Sequence, residues 1–142
     1  MSWAILDTGI YIGHWELRLY DVLPQIRKRF IVRHSAVVLS ELRRGVQTPI
    51  AQKLVEELHR LASIQWAPTI ADWWEAGRLI RKIGDAHDWE STKRREFQND
   101  ALIALTAYRH GATIVTDNLA DFDLLSREVK FRLFPVKRTL SP

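Results

Sequence analysis

Carboxylates stand where apolar segments end or would bury them. Asp7 closes the run Trp3-Ala4-Ile5-Leu6, and Asp117-Asn118, with Asp121 just beyond, follows a second run, Ala112-Thr113-Ile114-Val115-Thr116. Glu41 and Asp100 lie inside apolar, helix-like stretches, where a lone carboxylate is costly to desolvate. Several carboxylates on one spot repel, so one keeps its proton unless a cation joins them. Hard oxygen donors with few nitrogens and no sulfur select Mg²⁺ or Mn²⁺ over zinc. Such an ion lowers the pKa of bound water and stabilises the oxygens of an in-line phosphoryl displacement. The chemistry in view is metal-assisted hydrolysis of a phosphodiester.

Each acid has a plainer explanation when taken alone. Asp100 reads as a first-turn residue complementing a helix dipole, and Glu41 as one end of an ion pair with Arg44 at i+3. Together they are harder to dismiss, because all would have to fall independently on one edge of a sheet. Leu6-Asp7-Thr8-Gly9 resembles the signature of aspartic proteases, in which two aspartates share a proton. Those chains are all-β, whereas here a helix pattern begins directly after Gly9, and no second Asp-Thr-Gly or Asp-Ser-Gly occurs. Receiver domains keep an acidic pair after their first strand, which is absent. The five histidines are scattered, so no pair shares a helical turn, and the glycines form no phosphate-cradling loop. Without cysteine, thiolate metal sites and disulfides are excluded.

The elements that must position these acids alternate between strand and helix. After the run ending at Leu6, Ile12, Trp15, Leu19, Val22 and Leu23 recur at helical spacing, predicting one helix with Pro24 near its end. Phe30-Ile31-Val32 is a second strand candidate. Ser35 is the expected N-cap of a helix through Val38, Leu39, Glu41 and Leu42 that stops at Gly45. Thr48-Pro49 opens a helix with Ile50, Leu54, Val55, Leu58 and Leu61 on one face. Ile64 to Ala67 is a third strand candidate, and Pro68-Thr69 starts a helix through Trp73, Ala76, Leu79, Ile80 and Ile83. His87 to Glu96 is polar and irregular, the expected mobile loop. A helix runs from Phe97 to His110 and closes at Gly111, a strand covers 112–116, a helix surrounds Phe122, Leu124 and Leu125, and a last strand spans 131–136. This alternation predicts an α/β fold, a central parallel sheet with helices on both faces, whose ligands collect at the carboxyl ends of the strands. No repeat or linker divides the 142 residues, so one domain is expected over residues 1–142.

A net charge of +4 and a pI near 9.7 conceal clustering: Arg27-Lys28-Arg29, Arg43-Arg44, Arg81-Lys82, Lys93-Arg94-Arg95 and Lys137-Arg138. Such clusters suit a polyanion, although each alone also fits a solvated face. No signal peptide or membrane span is evident, so a soluble, cytoplasmic protein without membrane partners is expected. Trp73-Trp74 cannot both face one core, so one of them marks a partner or dimer surface, or both are partly covered by neighbouring loops.

Three blocks together resemble the PIN-domain family, especially the VapC-type toxins of bacterial toxin–antitoxin pairs. They are Ile5-Leu6-Asp7-Thr8, Val38 to Gly45 with Glu41 inside it, and Asn99-Asp100-Ala101-Leu102-Ile103-Ala104 through His110-Gly111-Ala112 to Thr116-Asp117-Asn118-Leu119-Ala120-Asp121-Phe122. The resemblance implies a three-layer α/β/α sandwich and a Mg²⁺- or Mn²⁺-dependent endoribonuclease that cuts structured RNA such as tRNA. By position, Asp7, Glu41 and Asp100 match the family's metal-binding acids, and Thr8 and Thr116 the hydroxyl residues that orient them. The fourth acidic position falls on Asn118, leaving Asp117 or Asp121 to supply the charge. Gly9 stands where many relatives carry Asn or Ser. The resemblance also implies a homodimer and a cognate antitoxin whose tail enters the acidic groove. A catalytically inactive RNA- or protein-binding module on the same fold is the alternative.

Overall fold

Among the described residues, five strands pair in parallel throughout, in the order β3-β2-β1-β4-β5. The computed structural model describes residues 1–16 and 22–137. In chain order the elements are β1 (Ser2–Leu6), α1 (Thr8–Trp15), α2 (Val22–Arg29), β2 (Phe30–Ser35), α3 (Ala36–Gly45), α4 (Pro49–Leu61), β3 (Gln65–Trp66), α5 (Ile70–Ala86), α6 (Ser91–His110), β4 (Thr113–Thr116), α7 (Leu119–Ser126) and β5 (Arg132–Pro135).

The strand order explains where a site can form. From β1 the chain moves outward to β2 and β3, then returns across the sheet to β4 and β5. Right-handed crossovers therefore send the helices after β1 and β2 to one face and those after β3 and β4 to the other. The resulting α/β/α sandwich opens a crevice beyond the carboxyl ends of β1 and β4, where the direction of winding reverses. Both strands are buried, as parallel strands covered on two faces must be: Ala4, Ile5, Ile114 and Val115 have no exposed surface.

The core's largest contributor is α6. Residues Ala101 to Ala107 are all buried, and Phe97 at its start is fully enclosed. This helix packs on α5, α3 and α7 and touches β1 and β4. Its end is set by Gly111, whose φ of 64° is left-handed backbone that glycine adopts without penalty.

Caps fall where the sequence places them. Ser35, Thr48 and Thr69 accept hydrogen bonds from Val38, Ala51 and Asp72 backbone N–H groups, and Thr69 with Asp72 completes a capping box. Arg109 then clamps Asp72, tying the last turn of α6 to the first turn of α5.

Two expectations need correction. The single helix expected from Gly9 to Leu23 is not continuous: α1 ends at Trp15 and α2 begins at Val22, with Leu19 outside the described residues. Pro24 lies in the first turn of α2, where the missing N–H has no intrahelical acceptor to lose. The loop expected over His87–Glu96 is confined to 87–90, because α6 starts at Ser91. The charges of 91–96 serve its outer faces: Arg94 bonds the carbonyl of Trp89 (2.9 Å) and Asp85 (2.9 Å), and Lys93 lies over the Trp89 ring.

Candidate active site

Asp7 is fixed by the sheet itself. Its N–H donates to the carbonyl of Val115 (2.9 Å), joining the end of β1 to β4. Its side chain caps α1, with Oδ1 accepting from the Thr8 N–H at 2.8 Å. Its Oδ2 accepts from the hydroxyl of fully buried Thr116 at 2.9 Å. Thr116 Oγ1 in turn accepts from the Asn118 N–H (2.9 Å), so one hydroxyl sets both the first acid and the turn after β4.

The other acids arrive from separate elements. Glu41, on α3, accepts from the Thr8 hydroxyl at 2.8 Å rather than pairing with Arg44. Asp100 projects from the middle of α6, not from a first turn, so the helix dipole does not account for it. The Asn118 Nδ2 lies 3.4 Å from Asp100 Oδ2 and 3.3 Å from Asp121 Oδ2, bridging the two. Asp117 stands against Gly9: a Cβ there would meet its carboxylate, 2.9 Å from Cγ. The departure at Gly9 and the acid at 117 are thus complementary, since Asn or Ser at position 9 would displace Asp117.

All eight residues singled out from the sequence (Asp7, Thr8, Glu41, Asp100, Thr116, Asp117, Asn118 and Asp121) gather at this edge, all but the buried Thr116 lining one open cleft of about 510 Å³. Gly9, Lys93 and Glu96 complete the lining. Glu96 was missed, and Lys93 was read only as part of a basic cluster, because both fell in the supposed loop. Their signal was present, since 93, 96 and 100 share a helix face at i, i+3 and i+7.

The cleft sets six carboxylates against one ammonium group. Asp100 is pushed up to about 8, first by burial, then by the charges of Asp7, Asp121 and Glu41, and by a hydrogen bond with Asp121 that favours its protonated form. Burial raises Asp7 to about 6 against the hydrogen bonds from Thr116 and Thr8, with Glu41 and Asp117 adding repulsion. A divalent cation relieves this repulsion, and an all-oxygen donor set with no imidazole or thiolate fits Mg²⁺ or Mn²⁺. As they stand, no three His, Asp or Glu side chains among the described residues are close enough to enclose one ion. Ligation therefore requires carboxylates to turn inward, and Asp100 to give up its proton.

Three of the five histidines stack on aromatic rings. His110 stacks on Trp66 (3.9 Å), His34 on Tyr11 and His87 on Trp89, and none lines the cleft. Trp74 is 85% exposed, whereas Trp73 is 51% exposed and so about half covered. No helix among the described residues is long and apolar enough to cross a membrane.

Comparison with known structures returns the same architecture. VapBC2 from Rickettsia felis bound to a promoter DNA fragment superposes with a TM-score of 0.67 at 19% identity, covering 95% of this chain and 99% of that one. VapBC-1 from nontypeable Haemophilus influenzae gives 0.68 at 18% identity over 94% and 97%. FitAcB from Neisseria gonorrhoeae gives 0.58 at 21% identity over 92% and 96%. At these identities the likeness establishes the fold. No curated protein sequence matches the chain. The family model described as the PIN domain matches residues 4–127, and the chain belongs to that family.

Proposed function

We propose that this chain is a Mg²⁺- or Mn²⁺-dependent endoribonuclease, the toxin of a toxin–antitoxin pair, cutting structured RNA such as tRNA. The observation that carries the proposal is the convergence of Asp7, Glu41 and Asp100, from β1, α3 and α6, on the crevice at the sheet's switch point. A bound divalent cation supplies the charge that activates water and stabilises a phosphoryl displacement. The chain's own groups do the rest. Thr116 and Thr8 hold Asp7 and Glu41 in orientation, and Asn118 keeps Asp100 and Asp121 side by side. In this reading Asp7, Glu41 and Asp100 are the metal ligands, and Asp117 or Asp121 supplies the fourth corner in place of Asn118.

The similar structures are of VapBC and FitAB-type assemblies, some bound to DNA, which supports an antitoxin partner for this chain. An acidic cleft suits an arginine from such a partner. A homodimer is supported by the exposed α5 surface around Trp73 and Trp74.

Incubating the protein with tRNA and Mn²⁺, with and without EDTA, beside Asp7→Asn and Asp100→Asn variants, tests the activity. EDTA-sensitive cleavage that needs both aspartates is the expected result. No EDTA-sensitive cleavage of any RNA, with no Mn²⁺ binding in calorimetry, favours the inactive-module reading, which fails if the wild type binds Mn²⁺ and the aspartate variants do not.

A further inference from the structure

We propose that Lys93 is the cation that positions the RNA phosphate over the acidic cleft, parked on Asp121 until that carboxylate turns to the metal. This assignment rests on the nuclease reading above and adds a residue to it.

A polyanion must approach six carboxylates, and metal charge offsets only part of their repulsion. Among the described residues, Lys93 is the single basic one in the lining of this cleft. Its Nζ lies 3.0 and 3.2 Å from the two oxygens of Asp121, so it sits at the same corner where the sequence carries Asn118 rather than an acid. The pair is partly open to solvent, with 37% of the lysine and 19% of the aspartate side chain exposed. Ion pairs of that exposure contribute little and exchange readily. Were Asp121 to turn to a divalent ion, the Lys93 ammonium would lose its carboxylate partner and its three donors would be open to another anion.

Two aromatic rings then favour keeping the lysine in place. Its Nζ lies 5.0 Å from the centroid of Trp89 and 5.7 Å from that of Phe97. Phe97 is fully buried and packs edge-on against Trp89 at 4.8 Å, so two packed rings form the floor under the arm. Cation–π attraction and the partly covered side chain favour keeping the charge at the mouth of the cleft. The next anion to arrive there in a nuclease is a substrate phosphate, for which a lysine serves as a compact point charge. The competing role is a surface link between α6 and α7 with no contact to RNA.

Lys93→Met keeps the stem on the rings and removes the charge, and Lys93→Arg restores it. Fluorescein-labelled tRNA is titrated by anisotropy over a range of salt, with Ca²⁺ replacing Mn²⁺ and RNA integrity checked on a gel. Losing one phosphate contact lowers affinity by about threefold to tenfold at moderate salt and reduces the log–log salt slope by about 0.7–1. Lys93→Arg recovers both. Calorimetry gives the second readout: Mn²⁺ binds Lys93→Met several-fold more tightly than wild type, because Asp121 is no longer engaged. Should Lys93→Met fail to fold, Lys93→Gln is measured in the same way. A wild type that cuts RNA while the charge-free variant keeps its tRNA affinity and slope overturns the assignment alone, whatever its Mn²⁺ affinity. A wild type that neither binds nor cuts RNA overturns the nuclease reading and the assignment with it.

Discussion

Replacing Asp100 by Asn should make the metal-free protein more stable while removing its response to metal. The ordinary carboxyl value of 3.8 rises to about 8 in the folded chain, mainly through burial and the neighbouring charges of Asp7, Asp121 and Glu41. Between those values the folded state holds a proton that the unfolded chain has released. Stability therefore falls as pH rises from about 4 to 8, opposite to the usual behaviour of a paired carboxylate. At pH 7 the gap of roughly three pH units corresponds to an upper bound of about 4 kcal/mol. Relaxation and water entry at an open cleft reduce this to roughly 2 kcal/mol at an effective dielectric near 20. Asparagine has nearly the same shape, can still accept from Asn118, and donates to Asp121 as the protonated acid does. For a chain of this length, about 2 kcal/mol raises the melting temperature by roughly 5–10 °C. The assay is thermal unfolding in EDTA across pH 5–8, then with Mn²⁺ at pH 7.5. The wild type should lose stability with rising pH and regain it with Mn²⁺, whereas Asp100→Asn should give a flatter profile and no Mn²⁺ gain. An unchanged or lower melting temperature for Asp100→Asn in EDTA would refute the reasoning.

Other predictions follow from single contacts. Thr116→Val removes the donor to Asp7 and the acceptor for the Asn118 N–H, costing about 1–3 kcal/mol in denaturant unfolding; because the Thr116 bond lowers Asp7's pKa, Mn²⁺ binding should also need higher pH. Gly9→Ala should displace Asp117 and weaken Mn²⁺ binding about as much as Asp117→Ala does, with the double variant no worse than either, as calorimetry would show. If α5 carries the dimer surface, Trp74→Glu should raise the dimer dissociation constant by about 30-fold or more in light scattering, since a buried tryptophan anchor contributes ~2 kcal/mol.

Much of this site was legible because burial and chemistry wrote different patterns into the same segments. Asp7 and Thr116 each end a short apolar run, and those runs are β1 and β4, the two strands flanking the crevice. Asp100 stood out because its neighbours Ala101 to Leu105 are all apolar, as a helix crossing the middle of the sandwich must be. Lys93 and Glu96 were hidden by their own neighbours. Residues 91–96 are almost wholly polar, and only Trp89 and Phe97 beneath them reveal that the segment has an inner face. The break between α1 and α2 was hidden for the opposite reason, because Ile12, Trp15, Val22 and Leu23 keep helical spacing across two helices that both bury their apolar sides. The fit of Asp117 against Gly9 needed coordinates, since a missing Cβ carries no information about what fills its place.

The central claim is that metal held by Asp7, Glu41 and Asp100 drives RNA cleavage. Titrating Mn²⁺ into the metal-free protein while tRNA cleavage is read at each concentration tests it most directly. The account predicts that cleavage rises along the binding isotherm and that Asp7→Asn and Asp100→Asn lose binding and cleavage together. Cleavage that persists in EDTA, or that survives in an aspartate variant unable to bind Mn²⁺, would contradict it.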